Sequence, residues 1–212
     1  MLHSRGPLMM SDQTATRRAF VARLIGAGVS LATPAMPARA EPGAPPPFET
    51  LRHQFTELRG ALPVPSVPIP NLSGGVFDLT SFRGKVVLVN FWATWCPACR
   101  VELPMLDQLA ASGRSDLAVI AIATDHDRSK VAPFVKKLKL RKLAIGFDPG
   151  GLVARAGAGA EVSTPFALYG MPISFLLGVT GQAEGYIAGE ADWLSGEARQ
   201  LLEYYAAARP GD

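Results

Sequence analysis

Cys96 and Cys99 are the only two cysteines among 212 residues, and they stand three positions apart in Trp95-Cys96-Pro97-Ala98-Cys99. Two thiols at that spacing can cycle between dithiol and disulfide, or share a soft metal ion. No third cysteine is left to form a structural bridge, as a disulfide-stabilised exported domain would need. Structural zinc requires four ligands, and the only imidazoles are the scattered His3, His53 and His126. The pair is therefore read as redox equipment, with no metal and no cofactor expected. A Cu(I)-binding metallochaperone is the alternative from another class, with His126 or Met171 as the third ligand. A thiol peroxidase ranks last, because two cysteines at a helix start form a disulfide-exchange layout.

The flanking segments explain why the pair sits there. Val86-Val87-Leu88-Val89-Asn90-Phe91 is an apolar, β-branched run that reads as a strand covered on both faces. A helix is predicted from Pro97 to Ala111, with Val101, Met105, Leu106 and Leu109 as its apolar stripe and a kink at Pro104. Cys96 then lies where unpaired backbone N–H groups and the positive dipole end favour a thiolate. One pKa unit is about 1.4 kcal/mol, within the roughly 2 kcal/mol available to a partly buried charge at a helix end. Cys96 is thus the expected nucleophile, and Cys99, one turn on, the resolving thiol. Pro97 suits the first helical position, where its missing N–H costs nothing.

The rest of the chain alternates in the same manner. Leu117 to Ala123 and Leu143 to Phe147 read as further strands, and Ser129 caps a helix through Leu138 that turns Val131, Phe134, Val135 and Leu138 inward. Ile173 to Leu177 and Glu184 to Ala188 form a late hairpin across Thr180-Gly181, and a last helix covers Ala191 to Ala208. Upstream, Ile69 to Leu72 and Val76 to Leu79 pair as a hairpin across Ser73-Gly74-Gly75. Phe48, Leu51, Phe55 and Leu58 recur at helical spacing and predict a short amphipathic helix ending at Gly60. The sum is an α/β fold, a mixed central sheet with helices on both faces and an N-terminal β-hairpin extension.

Charge divides the chain. Five of the 21 bases and one of the 18 acids lie in residues 1–40, leaving 16 bases against 17 acids. The excess positive charge belongs to that segment, so no nucleic-acid surface is implied. Thr16-Arg17-Arg18-Ala19-Phe20-Val21, a short apolar stretch from Leu24 to Ala35, and Ala38-Arg39-Ala40 read as an export signal of twin-arginine type. The alternatives are an ordinary secretory signal that happens to carry two arginines and an uncleaved leader acting as an anchor. The expected organisation is a signal over 1–40, a Pro-rich linker with the short helix over 41–62, and one domain over 63–212. The location that follows is the periplasm.

The stretch from Leu79 to Pro104, which includes Val89-Asn90-Phe91-Trp92-Ala93-Thr94-Trp95-Cys96-Pro97-Ala98-Cys99-Arg100-Val101-Glu102, resembles the TlpA/ResA branch of thioredoxin-like proteins and is similar to the CcmG/DsbE reductases. The resemblance is dense over residues 69–110 and looser but collinear beyond. It implies a thioredoxin-like fold and a protein disulfide reductase, often acting on apocytochrome c before haem attachment. It also implies a cis-proline at Pro172, in Tyr169-Gly170-Met171-Pro172-Ile173, and an active-site acid at Glu102 able to take or give a proton. Trp95, Pro97, Met171 and Pro172 become the expected substrate-binding surface, and Trp92 a core filler. The implied partners are a disulfide-bearing exported protein and a membrane thiol electron donor, with the chain working as a monomer. A disulfide-forming oxidase is the rival within this class.

Three positions depart from the pattern. Asn90 replaces the buried aspartate of ordinary thioredoxins, a substitution shared by this branch. Residues 149–168 are long and rich in Gly and Ala, and Gly178-Val179-Thr180-Gly181 lacks a frequent aspartate. Asp125-His126-Asp127 is read as a loop into a helix cap, and Lys136, Lys137, Lys139, Arg141 and Lys142 as a solvated helix end.

Overall fold

A computed structural model describes residues 43–157, 164 and 166–208. The export signal expected over residues 1–40 lies outside them. Ten strands follow in chain order: β1 (Thr56–Pro63), β2 (Ile69–Pro70), β3 (Val76–Phe77), β4 (Val86–Trp92), β5 (Leu117–Ala123), β6 (Ala144–Phe147), β7 (Ala154–Ala156), β8 (Phe166–Leu168), β9 (Ile173–Leu177) and β10 (Gln182–Ala188). The helices are α1 (Pro97–Ala111), α2 (Arg128–Lys137) and α3 (Gly196–Ala207), with a 3-10 turn at Leu79–Phe82. No helix among the described residues is long and apolar enough to cross a membrane.

The central sheet has the order β1-β10-β9-β4-β5-β6. β4, β5 and β6 are parallel, while β9 runs antiparallel to β4 and pairs Ser174 with Asn90. β4 is buried along its whole length, as its unbroken apolar run requires. Alternate residues feed two cores: Val86, Leu88 and Trp92 enter one, Val87, Val89 and Phe91 the other.

The helices do not divide between the faces. Leu103 and Leu106 of α1, Val131 of α2, and Leu201 and Leu202 of α3 all enter the core that holds Leu88 and Trp92. β4-α1-β5 and β5-α2-β6 step in one direction across the sheet, and right-handed crossovers in one direction place their helices on one side. The opposite face is covered by Ile69, Leu79, Val153 and Phe166, from the β2–β3 hairpin, the 3-10 turn and the β7–β8 insertion. That insertion lies in the long Gly/Ala-rich stretch, where Asp148 accepts hydrogen bonds from the Leu152, Val153 and Ala154 amides.

The helix predicted over Phe48 to Leu58 does not form. Residues 48–55 make a tight loop, closed by the Phe55 amide donating to the Phe48 carbonyl at 2.7 Å, and the chain then enters β1. Leu51, at the loop tip, is fully exposed, so the helical spacing marked no continuous stripe. β10 needs a partner for its outer backbone edge, and β1 supplies it antiparallel, from Thr56 opposite Tyr186 to Pro63 opposite Gln182. Residues 56–62 of the segment expected as a linker are therefore part of an edge strand of the main sheet. Gly185 permits this approach: a Cβ there would stand 2.7 Å from the Thr56 carbonyl oxygen and collide with the Phe55 ring. Gly185→Ala is expected to cost about 1–3 kcal/mol by forcing β1 outward, which at about 2–4 °C per kcal/mol lowers the melting midpoint measurably. An unchanged thermal melt followed by circular dichroism would count against this register.

Smaller corrections concern helix ends. Asp127, not Ser129, caps α2, its carboxylate accepting from the Ser129 amide at 2.9 Å. The Asp127 carboxylate both accepts the orphan amide and places negative charge at the positive end of the helix dipole. α3 begins only at Gly196 under the Ser195 cap, and Ala191 to Leu194 form a turn instead. In α1 the buried face is Cys99, Glu102, Leu103 and Leu106, whereas Val101 is exposed. The helix continues through Pro104.

Candidate redox site

β4 ends at Trp92, and a short turn carries the chain into α1 at the carboxyl edge of the parallel strands, the usual place for α/β sites. Thr94 fastens that turn. Its amide donates to Asp125 at 3.0 Å, its hydroxyl donates to the same carboxylate, and its carbonyl accepts from the Arg100 guanidinium at 3.2 Å. Arg100 also lies over the Phe134 ring, which stacks on Trp92. Asp125, read from sequence only as part of a loop, thus holds the cysteine turn to the end of β5. Nothing in its local sequence distinguished this role, because Thr94 lies 31 positions away.

Cys96 is the N-cap of α1 and Pro97 follows in the first turn. The Cys99 amide donates to Cys96 Sγ at 3.2 Å, so one of the helix's unpaired donors is aimed at that sulfur. The two cysteines are joined as a disulfide, with their Cα atoms 5.4 Å apart. Both cysteines are buried, Cys96 2% exposed and Cys99 0%, so the assignment of Cys96 as the attacking sulfur rests on its place at the helix N-cap. Trp95 stands beside it, 66% exposed. The Met171–Pro172 bond is cis. Met171 packs against the core cluster that contains both cysteines, and its sulfur accepts from the Thr124 hydroxyl at 3.7 Å.

Glu102 is one turn beyond Cys99 on the same buried face and is 0% exposed. Its Oε2 accepts from the Asn90 side-chain amide at 2.8 Å, and its Oε1 accepts from the Ala191 amide at 3.1 Å and from Trp193 Nε1 at 3.0 Å. Burial pushes its pKa up to about 7, against the lowering effect of those three donors, and the neighbouring Glu190 pushes the same way as burial. Asn90 donates also to the Ser174 hydroxyl at 2.9 Å, while its own Oδ1 has no partner in the structure. The amide thus replaces the aspartate of ordinary thioredoxins with a group that adds no charge beside Glu102. Trp193 was missed from sequence; a lone tryptophan in a turn before a helix gives no local sign of what its N–H will meet.

No group of three or more His, Cys, Asp and Glu side chains among the described residues could hold a metal ion. Asp125 and Asp127 are committed to Thr94 and the α2 cap. Lys136, Lys137, Lys139, Arg141 and Lys142 are exposed.

The arrangement suits thiol–disulfide exchange: a first sulfur at the helix N-cap facing a backbone donor, a second sulfur one turn in, and a buried acid whose pKa is pushed up to about 7. Comparison with known proteins agrees. The Redoxin family model matches residues 60–188. The thiol-disulfide oxidoreductase ResA of Bacillus thuringiensis subsp. konkukian is 30% identical over 142 residues, covering 66% of this chain and 73% of ResA. The thiol:disulfide interchange protein DsbE of Escherichia coli K12 is 32% identical over 161 residues, covering 71% of this chain and 80% of DsbE. The crystal structure of a thioredoxin-family thiol:disulfide interchange protein from Chlorobium tepidum superposes with a TM-score of 0.57 over 71% of this chain and 99% of its own, at 23% identity, and bears on the fold alone. The chain belongs to the Redoxin family and is a thiol–disulfide oxidoreductase with a thioredoxin-like fold.

Proposed function

We propose that the chain is a periplasmic dithiol reductase of partner-protein disulfides. The Cys96 thiolate attacks one sulfur of the partner disulfide and releases the other as a thiolate. The Cys99 thiol, losing its proton, then attacks Cys96 in the mixed disulfide, forming the Cys96–Cys99 disulfide and freeing the reduced partner. Two electrons pass to the partner, and a membrane dithiol donor returns them in the reverse exchange. Glu102 is the group proposed to take the Cys99 proton. Trp95, Pro97, Met171 and Pro172 form the surface proposed to receive the partner's backbone and apolar side chains.

The carrying observation is the Cys96–Cys99 disulfide with Cys96 at the N-cap of α1, backed within one helix by Cys99 and Glu102, both 0% exposed. Similarity to ResA and DsbE supports the class. The family resemblance makes the cysteine pair of an apocytochrome c the leading substrate. Arg17-Arg18 and Ala38-Arg39-Ala40 support export by the twin-arginine route. An oxidising compartment without an assured soluble reductant is where a dedicated reductase needs a membrane donor.

The reduction potential of the full chain, followed in defined redox buffers with tryptophan fluorescence as reporter, tests the direction of electron flow. A value nearer that of thioredoxin, about −270 mV, than that of DsbA, about −120 mV, is expected. A value at the DsbA end would make the chain a disulfide-forming oxidase and overturn the proposal.

A further inference from the structure

Trp193 lies at sequence position 91 residues from Glu102 yet donates its indole N–H to the Glu102 carboxyl at 3.0 Å. Its turn is tightly fixed. The Trp193 amide donates to the Ala191 carbonyl, Leu194 donates to the Asp192 side chain, and Ser195 donates to the Asp192 carbonyl and caps α3. The Ala191 amide reaches the same carboxyl oxygen as the indole. The turn between β10 and α3 therefore presents two donors to one atom of the acid.

The indole is also held from behind. Phe48 packs on it with ring centroids 4.9 Å apart and is itself 4% exposed. Phe48 is fixed in turn by the loop closure to Phe55, and the chain just before it is held by the Tyr204 hydroxyl donating to the Gly43 carbonyl at 2.6 Å. The other tryptophan in this core gives the contrast: Trp92 is equally buried, and its Nε1 has no partner. The Trp193 N–H is instead directed at the Glu102 carboxyl.

We propose that Trp193 is a positioning residue of the redox site, orienting the Glu102 carboxyl towards the cysteine-bearing face of the sheet, and that Phe48 is its backstop. The segment before the first strand thereby becomes part of the site. The inference deepens the proposed role of Glu102 and rests on it for its redox consequence. The groups around the carboxyl are uncharged Asn90 on β4, itself bonded to Ser174 on β9, the Ala191 amide and Trp193 indole, and exposed Glu190 just after β10, while Cys99 lies one turn back on the same buried helix face.

Trp193→Phe keeps an aromatic ring against Phe48 and removes the donor. In the full oxidised chain, carbon-13 NMR of the Glu102 carboxyl reads its titration without requiring any reductase activity. Losing one donor destabilises the carboxylate, so the midpoint is expected to move upward by about one pH unit. The break in the curve of potential against pH is expected to move with it. Phe48→Leu should give a smaller shift of the same sign, and circular dichroism monitors the fold of each variant. A Glu102 titration superimposable on that of the parent chain in folded Trp193→Phe overturns the proposal. Should that variant not fold, Phe48→Leu decides by the same criterion. If the carboxyl midpoint moves while the potential curve shows no break in any variant, the positioning role stands and the proton role assigned to Glu102 falls.

Discussion

Replacing Cys99 with alanine is expected to abolish turnover while allowing Cys96 to be trapped on its partner. Cys96 is the N-cap of α1 and its sulfur receives the N–H of residue 99. That donor belongs to the backbone and survives the substitution, so the helix end still favours the Cys96 thiolate. Cys99 is fully buried and reaches only a sulfur already bonded to Cys96. Without it the mixed disulfide has no internal thiol to resolve it, and turnover of a model protein disulfide should fall by about a thousandfold or more, towards uncatalysed exchange. One partner molecule per chain should remain attached, visible as a reducible adduct on a non-reducing gel. Cys96→Ala should lose turnover to the same degree and accumulate no adduct. Adduct on Cys96→Ala instead of Cys99→Ala would reverse the two roles.

What sequence showed and what it hid follow from the range of the interactions involved. β4 announced itself through the apolar run from Val86 to Phe91, one residue short of its observed end at Trp92, and α1 was bounded correctly by Pro97 and Ala111. The strands β5, β6 and β9 also lie where their apolar runs placed them. These are local signals. The cis bond before Pro172 came from resemblance alone, since an X–Pro pair does not reveal its isomer. The segment from Phe48 to Leu58 misled because its spacing is helical while its fate is decided by the open edge of β10, which no local pattern reports. Val101 misled similarly: Glu102, a charged residue, occupies the buried face that pattern reading reserves for apolar side chains. Asp125 and Trp193 reach the site across 31 and 91 positions, so only the fold could reveal them.

Glu102→Gln is expected to change the pH dependence of both stability and redox chemistry. In the disulfide form the Glu102 carboxyl is pushed up to about 7 from its ordinary 4.5, mainly by burial. Between those values the folded chain keeps a proton that the unfolded chain has released. Folding stability from this group is therefore full below pH 4.5 and falls as pH rises towards 7, by about 3 kcal/mol in all. Glutamine stays neutral throughout. Its oxygen can accept from Ala191 and Trp193, and Asn90 can turn its unpartnered Oδ1 towards the new amide. The variant should match the parent near pH 4.5 and exceed it above pH 7 by up to about 3 kcal/mol, as read by urea denaturation across that range. The reduced protein provides the functional half of the test. Ionised Glu102 opposes formation of a nearby thiolate by like charge, so Glu102→Gln should lower the apparent cysteine pKa and remove the break near pH 7 from the potential curve. Parallel stability curves for parent and variant from pH 4.5 to 8 would show that the folded chain holds the Glu102 proton no more tightly than the unfolded chain, so that burial has not raised its pKa. Unchanged cysteine titration and potential curves would remove it from the proton path, leaving Cys96 and Cys99 to exchange protons with solvent.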